Sequence, residues 1–180
     1  MKAGLIALGA LAVPALAAEV ETPADRLVWR GPIIAFHDGD SGRALDMETG
    51  AVERFRMAGF DAPEISEDKA ECQREQRHGI WATARANAFV LGDPIILKWL
   101  DDDGDGQIDR DRYGRGLAAI FRATRSGALR GSLEDHLIGP GFALPYEGGK
   151  KPDWCRFIDR LARQRSGKAG SSSPGTDIEP

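Results

Sequence analysis

Apolar and charged residues alternate over residues 52–57 (VERFRM), the period of a strand with one buried face. Residues 27–37 carry Ile33, Ile34 and Phe36 and read as an earlier strand, in which Pro32 marks a bulge or an edge position. The turn DGDSG follows, then a short strand over residues 44–47 and a second turn, ETGA, so the first three strands form a meander. Over residues 74–91 the period becomes helical, with Ile80, Trp81, Ala84, Ala88 and Phe89 assigned to one face and Asp93-Pro94 as the stop. Residues 95–100 and 116–121 are two further strands. Ser132 can cap a short helix carrying Leu133, Leu137 and Ile138, with Asp135 at its third position. Asp153 can cap a last helix in which Trp154, Phe157, Ile158 and Leu161 fall at i, i+3, i+4 and i+7.

Five strands with a helix between the third and fourth is the order of a five-stranded OB-type Greek-key barrel. The expected class is α+β, mainly β, with about three helices and one domain over residues 27–165. The stretch SGKAGSSSPGTDIEP at the end has no periodicity, so residues 166–180 are expected to be a disordered tail.

The first residues change the picture of where the protein works. Lys2, an apolar run from Leu5 to Leu16 and the A-x-A site Ala15-Leu16-Ala17 have the form of a signal peptide over residues 1–17, followed by a polar leader at 18–26. A membrane anchor or buried helix is the alternative, but the run is shorter than the roughly 20 residues of a span, and Pro14 interrupts it. The expectation is a secreted or periplasmic protein with no stable membrane insertion after cleavage. Cys72 and Cys155 would then meet an oxidising compartment, where a disulfide is the natural pairing and two buried thiols the alternative. Such a bridge is worth up to about 4–5 kcal/mol on a chain-entropy account.

Charge decides little. Without Lys2 the chain has 23 basic against 28 acidic residues, a net charge of -5, which is not the footprint of a basic nucleic-acid binder. Six of the acidic residues lie in one stretch, DDDGDGQIDRDR (residues 101–112), and the remainder is close to neutral. A polyanionic substrate is therefore neither suggested nor excluded.

Three segments are charged where a barrel would place only turns: HDGDS (37–41), FRMAGFDAPE (55–64) and DRYGRGLA (111–118). Asp40 and Asp61 are carboxylates at strand ends that could meet on a hard cation, and Glu64 is a third just beyond. Arg56 and Arg115 could face an anion. Carboxylate ligation suits calcium or magnesium, because the soft ligands are two distant cysteines and three scattered histidines. A metal, two arginines and a spare carboxylate make the equipment for phosphodiester hydrolysis. Ordinary solvated pairs at strand ends are the competing reading of the same residues.

FRMAGFDAPE followed by DRYGRGLA, with DGDS upstream and LIGPGFALPY downstream, resembles the staphylococcal nuclease (thermonuclease) family. The similarity spans residues 27–163, and its specificity lies in four motifs in order. The resemblance implies a calcium ion (Ca2+) held by Asp40, Asp61 and the backbone carbonyl of Ala62, where many members have Thr. It implies Glu64 as the base that activates water, and Arg56 and Arg115 as phosphate-binding catalytic arginines. Arg112 and Tyr113 match positions that touch a terminal phosphate, and Tyr146 one against which a base packs. His37, His78 and His136 match no catalytic position, and Trp81, Trp99 and Trp154 read as core residues.

The acidic stretch invites a second reading. Asp101, Asp103, Asp105, Gln107 and Asp109 match positions 1, 3, 5, 7 and 9 of an EF-hand loop, but Arg112 stands where the bidentate Glu belongs. An elongated hairpin turn explains the same Asp and Gly residues. The expected function is an exported, calcium-dependent, monomeric endonuclease acting on DNA and RNA, with products carrying 3'-phosphates if it follows the family. The alternatives are a non-catalytic nuclease-like barrel that binds nucleic acid or protein, and a calcium-dependent hydrolase of another phosphoester.

Overall fold

The computed structural model describes residues 28–29, 32–45, 49–92 and 94–169; the expected signal peptide, the leader and residues 170–180 lie outside them. Nine strands and three helices are formed among the described residues: β1 (Val28–Trp29), β2 (Ile33–Phe36), β3 (Ser41–Leu45), β4 (Val52–Met57), β5 (Phe60–Asp61), α1 (Gln73–Phe89), β6 (Ile95–Trp99), β7 (Gly116–Ala123), β8 (Leu129–Ser132), α2 (Leu133–Ile138), β9 (Leu144–Pro145) and α3 (Trp154–Ala169). The fold is therefore mixed α+β and rich in strands. β5, β8 and β9 were not anticipated, since two to four residues are too few to carry a period.

The first expected strand is split into β1 and β2 around Pro32, which has no N–H to give to a ladder. β2, β3 and β4 pair antiparallel in succession, which is the expected meander. β4 then pairs parallel with β7, and β6 and β7 form an antiparallel hairpin. The main sheet runs β1-β6-β7-β4-β3-β2 with β8 also on β7, while β5 and β9 form a separate pair.

The two edges of that six-strand path are consecutive in sequence. Trp29 and Ile33 are at most about 14 Å apart along the chain, whereas a flat sheet would separate its outer strands by about 24 Å. The sheet must curl. The pairing does not join β1 to β2, so the ladder is not closed into the expected barrel. Inside the curl lies an apolar core that includes Phe36, Phe55, Met57, Phe60, Leu97, Trp99, Ile120, Leu133 and Leu137.

Helix α1 corrects the sequence reading. Its buried residues are Glu75, His78, Gly79, Ala82, Ala86 and Phe89, whereas Ile80 and Trp81 are 51% and 59% exposed and Ala84 and Ala88 also face solvent. Phe89 is buried as expected, but Ile80 and Trp81 marked the wrong face because the middle of the packed side is made of the small residues Gly79, Ala82 and Ala86. A Cβ on Gly79 would sit 2.6 Å from the carbonyl oxygens of Pro63 and Glu64, so the helix lies directly against the backbone bearing Glu64. Trp99 and Trp154 are core residues as expected.

Both expected caps are present. Ser132 Oγ accepts the Asp135 N–H at 3.0 Å, and Asp153 Oδ1 accepts the Arg156 N–H at 2.8 Å. Helix α3 continues to Ala169, four residues past the expected domain boundary at 165. Cys72 and Cys155 form a disulfide, with Cα atoms 6.2 Å apart, that ties the N-terminus of α1 to the first turn of α3. No helix among the described residues is long and apolar enough to cross a membrane.

Candidate active site

The turn between β2 and β3 is held by Asp38, whose Oδ1 accepts the Asp40 N–H at 3.3 Å and the Ser41 hydroxyl at 2.7 Å. Asp40 is thereby directed inward and buried. Its Oδ2 accepts the Ala62 N–H at 2.6 Å and is paired with Arg56 at 2.6 Å. Arg56 comes from β4, which lies beside β3, and its second amino group is 3.2 Å from Asp61 Oδ1. Asp61, on β5, is fully buried and accepts the Trp154 indole N–H on Oδ2 at 2.9 Å. Two aspartates and one guanidinium, from one turn and two strands, thus form a single buried group.

Burial pushes the Asp40 carboxyl well above the usual carboxylate range. The Arg56 charge and the Ala62 N–H oppose that rise, while Asp38 and Asp61 add to it. Glu64 stands just beyond. Its N–H donates to Glu75 Oε1 at 3.3 Å, and its side chain is paired with Lys151 Nζ at 2.6 Å. Glu75 is buried on α1, accepts the Glu71 N–H at 2.7 Å as well, and has its carboxyl raised by burial against those hydrogen bonds. Lys151 also lies 3.5 Å from Asp61 Oδ1. Burial disfavours its charge, but the Glu64 contact and the neighbouring aspartates win and raise its pKa.

The DRYGR segment connects β6 to β7. Arg115 is folded onto Asp111, with Nε donating to Oδ2 at 2.7 Å, and its guanidinium carbon lies 5.6 Å from the centre of the Tyr113 ring. Arg112 lies over the same ring at 4.8 Å, and Tyr113 is 60% exposed. Arg54 donates to the Tyr113 carbonyl at 3.1 Å, linking this segment to β4. Tyr146 donates its hydroxyl to the Gly149 carbonyl at 2.9 Å.

One cleft of about 1190 Å³ is lined by Asp40, Arg56, Glu64, Arg112, Tyr113, Arg115 and Tyr146. Asp61 and Ala62 lie buried behind it. Arg115 is brought to the cleft but turned towards Asp111. At the inner end of the cleft the carboxylates of Asp38, Asp40, Asp61 and Glu64 are grouped, with Arg56 and Lys151 paired to the last three. Such a group of hard oxygen donors is of the kind that holds a divalent cation of the calcium type.

The acidic stretch is an elongated connection in the β6–β7 hairpin. Asp101, Asp103 and Asp105 each place a carboxylate oxygen within 4.8 Å of the others, an arrangement that could hold a metal ion. Much of their capacity goes to the turn, since Asp101, Asp103 and Asp105 accept the N–H groups of Gly106, Asp105 and Gln107. Asp109 is outside that trio and accepts the Asp102 N–H instead.

Sequence reasoning missed Lys151, Asp38, Glu75 and the donor role of Trp154. A signal did exist for Lys151 and Trp154: both flank Cys155, whose partner Cys72 lies eight residues after Glu64. His78 is structural, with Nε2–H donating to the Gly141 carbonyl at 2.8 Å. No protein-family model matches the chain, and no curated protein does.

Proposed function

We propose that the protein is an exported, calcium-dependent nuclease of the staphylococcal nuclease type, its curled sheet a partly open OB-type barrel, that hydrolyses phosphodiester bonds in DNA and RNA. The observation that carries this reading is the convergence of Asp40, Arg56, Glu64, Arg112, Tyr113, Arg115 and Tyr146 on one cleft, from segments up to a hundred residues apart. Random surface charge would not select those seven positions together.

Asp40, Asp61 and the backbone carbonyl of Ala62 would hold the calcium ion, which supplies charge neutralisation and Lewis acidity beside a phosphate. Glu64 takes the proton of the attacking water. Its backbone is anchored to Glu75, so the base is carried on a fixed segment. Arg56 stabilises charge growing on the five-coordinate phosphorus, and Arg115 joins it on leaving Asp111. Guanidinium groups titrate too high to act readily as acids, so their role is electrostatic. Arg112 and Tyr113 engage a terminal phosphate, and Tyr146 offers a ring to a base.

Digestion of single-stranded DNA, duplex DNA and RNA, with calcium or with chelator, tests this directly. Chelation should abolish cleavage, and Glu64→Gln should lower it by at least about 100-fold without altering thermal stability. Undiminished cleavage by Glu64→Gln would falsify the base assignment. Nucleic-acid binding without hydrolysis by the unaltered protein would identify a binding module instead.

A further inference from the structure

Both carboxylate oxygens of Asp61 are occupied. Oδ2 accepts the Trp154 indole N–H, while Oδ1 is 3.2 Å from Arg56 and 3.5 Å from Lys151. Asp40 gives its Oδ2 to Arg56 and to the Ala62 N–H. A metal ion that is to use Asp61 therefore competes with the positive side chains already beside it.

The two candidates differ in how firmly they are held. The Arg56 side chain is 12% exposed, spans both aspartates and donates to the Asp40 carbonyl at 3.3 Å. Lys151 is 54% exposed, approaches Asp61 beyond ordinary hydrogen-bond length and carries a point charge on a flexible four-carbon stem. Its strong contact is with Glu64, the carboxylate that must be available to water.

We propose that Lys151 is the resident counter-ion of Asp61 and Glu64, and that a divalent cation binding at Asp40 and Asp61 displaces its ammonium from both carboxylates. This deepens the calcium reading above and rests on it. The exchange keeps the carboxylates neutralised in the absence of metal and frees Glu64 when metal arrives. It also leaves the Lys151 ammonium free within the cleft, alongside Arg56, Arg112 and Arg115. Lys151 is thus a positioning residue whose charge sets metal affinity.

Calorimetric titration of calcium chloride into the unaltered protein, Lys151→Met, Lys151→Arg and Asp61→Asn tests the exchange. Asp61→Asn identifies the heat that belongs to this site rather than to the acidic loop. At the Asp61-dependent site, Lys151→Met should bind calcium about three- to tenfold more tightly than the unaltered protein, the loss of one competing, half-exposed ion pair. Lys151→Arg, which keeps the charge, should stay close to the unaltered protein. Unchanged or weaker binding by Lys151→Met, with its thermal stability intact, overturns the exchange while leaving the calcium reading in place. If neither protein shows an Asp61-dependent site, the exchange and the calcium reading fall together.

Discussion

Arg115 rests on Asp111, and that contact explains how a short surface turn keeps its shape. Burial alone would raise the Asp111 carboxyl, but the N–H and guanidinium of Arg115 and the N–H of Tyr113 outweigh it and hold the group below the ordinary value of 3.8. A carboxyl lowered by folding contributes stability that is present above its unfolded pKa and is lost as pH falls through the folded one. Acid titration of stability should therefore show a smaller loss below about pH 4 for Asp111→Asn than for the unaltered protein. An identical acid profile would show that the contact contributes nothing. At this scale the grouping of Asp40, Arg56, Asp61 and Glu64 was legible, because residue type and local motif spacing mark them out as candidates. Lys151 and Trp154 were not, because their importance arises from contacts 87 and 93 residues away in sequence.

Among the elements, α1 was legible in extent but not in orientation. A helix normally buries its large apolar side chains, yet this one presents Gly79, Ala82 and Ala86 because it must approach a neighbouring backbone closely. Replacing an exposed helical glycine with alanine usually stabilises by about 0.5–1 kcal/mol. At Gly79 the added methyl would meet two backbone carbonyls at 2.6 Å, which cannot move as a flexible side chain would. Overpacking should win, so Gly79→Ala is expected to lose about 1–3 kcal/mol in chemical denaturation and to reduce cleavage by shifting Glu64. In contrast, Trp81→Gln on the solvent face should stay within about 0.5 kcal/mol. The strand order and meander were legible from period and turns. The short strands β5 and β9 were not, although β5 carries Asp61, because their pairing is made by distant chain segments.

For the whole molecule, the curled sheet supplies Asp40, Arg56 and the DRYGR turn, while the segment before α3 supplies Lys151 and Trp154. The Cys72–Cys155 bridge ties the second part to the N-terminus of α1, eight residues after Glu64. Replacing both cysteines with alanine should lower stability by about 2–5 kcal/mol, read as a fall in denaturant midpoint, and weaken binding at the carboxylate site. Unchanged stability would assign the tethering of α3 to packing alone. Because Lys151, Trp154 and Cys155 follow every other residue of the cleft in sequence, the cleft is unfinished until the segment that carries them has been synthesised. For the nuclease proposed above, that order of assembly would act as a safeguard: the growing chain would pass its maker's own messages before it had the means to cut them.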